Sequence, residues 1–178
     1  DGLSSVPRDR NVADTRNYSR NYRQRLRAEV LLDSLSQITG VPDSFSAMAP
    51  GGRAKEIWTT RVTSLFLDTF GRPDPNQDPP CERSSDPTVT QTLHLMNAPI
   101  LHSKVTSDKG QAAQLAASKR TVDELIDELY LAIYSRFPDA NERETCRQVF
   151  ASAGDERRQS CEDLMWALVN TPEFLFKD

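Results

Sequence analysis

Asp74, Asn76 and Asp78 place side-chain oxygens at alternate positions of a turn-rich loop, the spacing with which a calcium loop opens. The rest of that pattern departs. Pro79 stands where the sharp turn needs glycine, and Ser85 where a bidentate glutamate would close the site. A solvated Asp/Pro turn is the competing reading. Just downstream, Cys81 is followed by Glu82 and Arg83, with His94 and His102 further on. A thiol with an imidazole is the composition of a nucleophile–base pair or of part of a zinc site. The spacing matches neither, the two histidines are eight residues apart across Asn97 and Pro99, and the chain has no third histidine. The plainer alternative is that both imidazoles are exposed helix residues while Glu82 and Arg83 pair with loop charges.

Cys146 and Cys161 are symmetric about the junction of residues 153 and 154, where a hairpin turn is expected. In an antiparallel pair each lies about 11 Å from the turn at about 1.5 Å rise per residue, so the two thiols are level. A disulfide there would stabilise by roughly 3 kcal/mol in the chain-entropy model and would imply an oxidising compartment, leaving Cys81 as the odd thiol. Two buried free thiols acting as small apolar side chains are the alternative. Signatures for covalent haem, serine hydrolases, zinc proteases and phosphate loops are all absent, and no cofactor motif is present.

The elements that would position these residues read as helices. Ala28, Leu31, Leu35 and Ile38 repeat one helical face before Gly40, and Val62, Leu65, Phe66, Thr69 and Phe70 repeat another before Gly71. Between them, residues 41–60 form a Pro/Gly/Ser-rich connection with a short extended stretch at Ile57 and Trp58. The Pro/Asp-rich segment 71–86 is a long loop. Pro87 is a suitable first-turn residue for a helix carrying Val89, Leu93 and Met96, which Asn97 and Pro99 break or restart towards Ile100, Leu101 and Val105. Thr121 with Glu124 makes a capping box ahead of Leu125, Ile126, Leu129, Tyr130 and Ile133, and Asp139 with Glu142 opens the next helix in a related way. That helix carries Cys146, Val149, Phe150 and Ala153 and stops at Gly154. Asp155 then caps a helix bearing Cys161, Leu164, Met165, Leu168 and Val169, and Phe174, Leu175 and Phe176 return to the core.

The expected architecture is an all-α, irregular multi-helix bundle that ends in an antiparallel helical hairpin. It is organised as one helical domain over 1–178: a basic arm at 1–26, helices within 27–106 around the 71–86 loop, and a C-terminal helical subdomain at 110–178. A chain of 178 residues can bury a core without metals or dense disulfides. Because it begins at Asp1, it reads as a processed protein or as the C-terminal part of a larger one.

Charge narrows the partners. The net charge is −4, although residues 1–30 hold seven arginines against four carboxylates. An acidic chain repels the phosphates that supply most nucleic-acid affinity, so a nucleic-acid partner is not expected. No apolar run reaches the roughly 20 residues that span a bilayer, so direct membrane insertion is not expected either.

Five strings resemble a known family: RNYRQRLRAEVLLDSL from Arg20, FLDTFGRPD from Phe66, CERSSDPTVTQTLHLMN from Cys81, ELYLAIYSRFP from Glu128 and DLMWALVNTPEFLF from Asp163. Together, and in this order, they are similar to the planctomycete surface domain family, a C-terminal domain of unknown function in large secreted bacterial proteins. The resemblance implies an extracytoplasmic setting and upstream neighbours that include a cytochrome-c-like domain. It implies no established activity. One departure is that Pro79 stands where the family often has the first cysteine of a Cys-x-Cys-Glu-Arg string.

The functional expectation is a non-catalytic accessory or interaction domain whose partners are other domains of its own chain. Two rivals remain: one wall of a redox or polysaccharide-directed active site built on the 71–86 loop, and a calcium-stabilised surface module.

Overall fold

In a computed structural model of the chain, residues 24–46, 48–59, 62–73, 99–152, 154 and 156–177 are described. The expected basic arm, the 74–86 part of the long loop, the helix after Pro87 and the cap at Asp155 lie wholly or mainly outside the described residues. Among those described, eight α-helices and one short 3-10 turn run in order: α1 (Ala28–Thr39), the turn (Ala54–Glu56), α2 (Leu65–Thr69), α3 (Pro99–Val105), α4 (Gln111–Ala117), α5 (Val122–Tyr134), α6 (Ala140–Ser152), α7 (Arg157–Val169) and α8 (Pro172–Leu175). The all-α expectation holds. The only strands described are two-residue pieces, β1 (Gln24–Arg25) and β2 (Phe176–Lys177), which pair antiparallel with Arg25 opposite Phe176.

Most of the helices form where the apolar spacing placed them; on the second expected face the helix covers only Leu65–Thr69, with Val62 ahead of it, and Leu65 is exposed rather than buried. Leu31, Leu32, Leu35 and Ile38 of α1 are buried at the period of one helical face. All five residues of the α5 stripe, Leu125, Ile126, Leu129, Tyr130 and Ile133, are buried as well. Burying a side chain of this size is worth about 1.5–3 kcal/mol, so amphipathic faces outweigh intrinsic helix propensity here. These residues join Phe66, Leu67, Leu101, Phe150, Met165, Val169 and Phe174 in one apolar cluster.

Caps set the boundaries. Thr121 accepts the Glu124 N–H while a Glu124 carboxylate oxygen accepts the Thr121 N–H at 2.6 Å, completing the capping box. The Asp139 carboxylate accepts the N–H groups of Asn141 and Glu142 at 2.8 Å each, and Glu142 accepts the Asp139 N–H in return. Thr171 accepts the Phe174 N–H to open α8.

Helix α4 is not marked by sequence spacing, yet it makes the most extensive helix–helix packing, against α7. Arg157 of α7 donates to the Ala116 carbonyl at 3.0 Å and to the Arg120 carbonyl at 2.5 Å, satisfying groups that the end of α4 leaves open. Entry into α4 passes through Gly110, where an added Cβ would lie 3.1–3.2 Å from the carbonyl oxygens of Ser107, Lys104 and Thr39. A Cβ there would force these backbone carbonyls to give by a few tenths of an ångström, which favours glycine.

At the other side of the core, Arg25 is buried, donates to the Phe70 carbonyl at 2.8 Å and stacks over the Phe70 ring at 5.3 Å. The first and last described segments thereby close together beside α2.

Candidate functional site

The chemistry-bearing residues of the central loop, Asp74, Asn76, Asp78, Cys81, Glu82, Arg83 and His94, lie outside the described residues. His102 is described: it is exposed on α3, where its carbonyl accepts from the Thr106 N–H and hydroxyl. Among the described residues no group of three or more His, Cys, Asp and Glu comes together that could hold a metal ion.

The Cys146–Cys161 bridge expected from the hairpin symmetry is not formed. Both residues are buried free thiols. Symmetry about a turn sets two residues level along paired helices, but it does not set the rotation of each helix about its axis. The Cys146 thiol faces the Tyr130 hydroxyl of α5 at 3.9 Å instead. Burial raises both thiols above their usual range, Cys161 to about 11, so each is held as an unreactive neutral group at neutral pH.

A second constellation unites three segments. The Lys104 ammonium, 4% exposed, lies 3.1 Å from an Asp43 carboxylate oxygen and donates to the Val41 carbonyl at 2.6 Å and the Ser36 hydroxyl at 3.2 Å. Ser36 in turn lies 2.7 Å from the other Asp43 oxygen. Serine beside lysine resembles a nucleophile with its base. Here Lys104 donates to Ser36 and to the Val41 carbonyl, and the Ser36 hydroxyl is directed to the Asp43 carboxylate rather than to the amine. The cluster instead satisfies a buried charge and ties α1 and α3 to the connection between them.

A different arrangement faces solvent. A cleft of about 300 Å³ is lined by Arg27, Glu29, Lys55, Ile57, Trp58 and Arg72, with Val30 beside them. Three local structures build it. Arg27 is the N-cap residue of α1, so Glu29 and Val30 follow in the first helical turn. From the same helix, the Asp33 carboxylate accepts the N–H groups of Ala54 at 2.6 Å and Lys55 at 3.2 Å, capping the 3-10 turn from twenty-one residues away and setting Lys55 and Trp58 opposite α1.

The third wall comes from the end of α2. Gly71 adopts the left-handed backbone with φ of 85°, its N–H reaching the Asp68 carbonyl and that of Arg72 reaching the Leu67 carbonyl at 2.9 Å. This is the Schellman closure, which glycine adopts without the penalty a Cβ would bring. It sets the Arg72 side chain back along α2, where Nε and Nη2 donate to one Asp68 oxygen at 3.1 and 2.6 Å. The Arg72 side chain is 6% exposed, and its Nη1 is buried without a hydrogen-bond partner. Trp58, by contrast, is 79% exposed.

The cleft therefore combines an accessible indole with three cations against one carboxylate, in a chain whose net charge is −4. Such a lining can hold an anion and a flat ring. With a single carboxylate in its lining, it lacks the pair that glycoside hydrolysis uses. The sequence shows Trp58 in a connection and Arg72 after Gly71, but nothing in the spacing announces that they meet.

Comparison with known proteins identifies a family. A family model described as PSD1, protein of unknown function (DUF1553), covers residues 3–150. No curated protein and no solved structure matches the chain.

Proposed function

The chain belongs to the PSD1 family of proteins of unknown function, and from that premise we propose that it is a non-catalytic accessory or interaction domain of a large extracytoplasmic bacterial surface protein. The observation that carries this reading is the cleft lined by Trp58, Arg27, Lys55 and Arg72: its residue types hold and orient a ligand, and only Glu29 among them is suited to proton transfer. The ionisable residues on the helices support the same reading, because they are engaged in holding elements together. Arg136, Arg143, Arg147 and Arg158 all pair with carboxylates across or along helices. In this reading the domain's partners are other domains of its own polypeptide, a cytochrome-c-like domain among them, as the sequence resemblance implies.

The test is a parallel screen of the 178-residue chain for binding and for turnover on one panel of glycosides, peptides and redox dyes. Binding that depends on Trp58, with every ligand recovered unchanged, supports an accessory role. Turnover that Glu29→Gln abolishes overturns it. The location is tested separately by proteolysis of intact producing cells: cleavage from outside supports an extracytoplasmic domain, and protection until lysis overturns that part.

A further inference from the structure

We propose that the Trp58 cleft is a binding site for an anionic saccharide, with a sugar ring lying on the indole and its carboxylate or sulfate ester held by Arg27, Lys55 and Arg72. This deepens the accessory reading and rests on it.

The first argument is the uneven use of cations. Across the C-terminal helices, arginines are spent on ion pairs: Arg136 with Glu142 and Glu173, Arg147 with Asp123, Arg158 with Glu162 and Asp108. Among the described residues, the side chains of Arg27 and Lys55 form no such pair, and Arg72 keeps a buried N–H that no acceptor satisfies. Arg72 is tied to Asp68, whereas Arg27 and Lys55 contribute no ion pair among the described residues, although an acidic chain has carboxylates to spare.

The second argument is the indole. Large aromatic side chains are usually well buried, because their apolar area dominates core energetics. Trp58 instead stands 79% exposed on the wall of the cleft, with Val30 beside it 40% exposed. A flat, weakly polar surface next to cations suits a ligand that has an apolar face and an anionic edge, which is the amphiphilic geometry of a uronic or sulfated sugar. At about 300 Å³ the cleft sits at the lower end of ligand sites and suits a ring or two of a longer chain passing through. Glu29, also on the cleft, supplies an acceptor for sugar hydroxyls.

The experiment uses the 178-residue chain and four probes of matched length: an oligogalacturonate, a sulfated oligosaccharide, a neutral oligoglucoside and an oligoglutamate peptide. Tryptophan fluorescence reports on the parent chain and on Lys55→Gln, because the only other tryptophan, Trp166, is half-buried on α7, and titration calorimetry gives the affinities of all chains, Trp58→Ala included. We expect one of the two anionic sugars to shift the emission and bind at low salt, which distinguishes carboxylate from sulfate ester. The neutral sugar should bind at least about tenfold more weakly, and Trp58→Ala and Lys55→Gln should each lose about tenfold. Both substitutions are at exposed positions, and an unchanged thermal melt verifies folding. Equal binding of the peptide or of the neutral sugar, or anionic-sugar affinity untouched by Trp58→Ala, overturns the proposal. Cleavage of a bound sugar would overturn the non-catalytic reading while leaving this site standing. Failure of all sugars, with capture of a neighbouring domain of the polypeptide retained, would overturn the site alone.

Discussion

Arg136 grips Glu173 through two parallel bonds, Nε to Oε1 at 2.7 Å and Nη2 to Oε2 at 2.8 Å, although the residues lie thirty-seven positions apart. The same guanidinium reaches both oxygens of Glu142 at 2.7 and 2.8 Å and stands 5.5 and 5.3 Å from the rings of Tyr130 and Tyr134. One side chain thus pins the end of α5, the first turn of α6 and the first turn of α8. Arginine's fixed fork makes this possible, and a lysine ammonium cannot serve two carboxylates in that geometry. Surface ion pairs are worth about 0.2–1 kcal/mol each and a cation over a ring about 0.5–1 kcal/mol, so screening holds the total to about 1–2 kcal/mol. Arg136→Lys should lower unfolding free energy by about that amount in urea titration. A midpoint equal to the parent's would show that the network is ornamental.

Acid should act through the same residues. The Arg136 hydrogen bonds hold Glu142 down to about 2 from its ordinary 4.5. The folded value lies below the unfolded one, so this stabilisation is complete above pH 4.5 and is lost as pH falls through about 2. Asp123, bonded by Arg147, and Glu124, bonded by the Thr121 backbone, are lowered too and add to the same acid limb. Stability of the parent chain should therefore fall between pH 4.5 and 2. In Arg136→Gln the decline over that window should be shallower, and an identical slope would detach Glu142 from it.

The buried ammonium of Lys104 gives a larger effect. Its partners Asp43, Ser36 and the Val41 carbonyl all remain when Lys104 is replaced, and Asp43 is then a largely buried carboxylate without its countercharge. Breaking one side of a buried pair costs about 3–5 kcal/mol. Lys104→Met should cost about 3 kcal/mol, and Asp43→Asn added to it should recover part of that loss. Additive losses in the double variant would mean that the two side chains act independently.

How much of this was legible in the sequence follows from the range of each interaction. The capping boxes at Thr121 and Asp139 span three residues, so their residue types suffice to announce them. The apolar stripes of α1, α5 and α7 are legible because burial repeats with the helical period. Helix α4 escaped because its alanines and a lone Leu115 present little apolar area, and its stability is supplied by α7 and by Arg157 from forty-one residues away. The same holds for the candidate site. Asp33 capping the 3-10 turn, Gly71 turning Arg72 back along α2, and Lys104 meeting Asp43 are relations between segments that no local spacing encodes. The chemistry the sequence offered most openly, in the loop from Asp74 to His94, lies outside the described residues.

The thiols decide between the bridged hairpin that symmetry suggested and the free, buried pair that the structure contains. With Cys146 facing Tyr130 and Cys161 fully buried, neither should react with a soluble disulfide reagent in the folded chain at pH 8, because burial raises both above their usual range. Raised values in the folded state mean that their stabilising contribution is complete below pH 9.0 and, for Cys161, is lost as pH rises towards about 11. Alkaline unfolding should therefore accelerate across that range, and Cys161→Ala should blunt the acceleration at some cost in packing. Alkylation in denaturant without reductant should mark all three cysteines of the chain. A single marked cysteine before reduction, with three after it, would instead establish the Cys146–Cys161 bridge. It would require α6 or α7 to rotate about its axis from the arrangement in which Cys146 meets Tyr130.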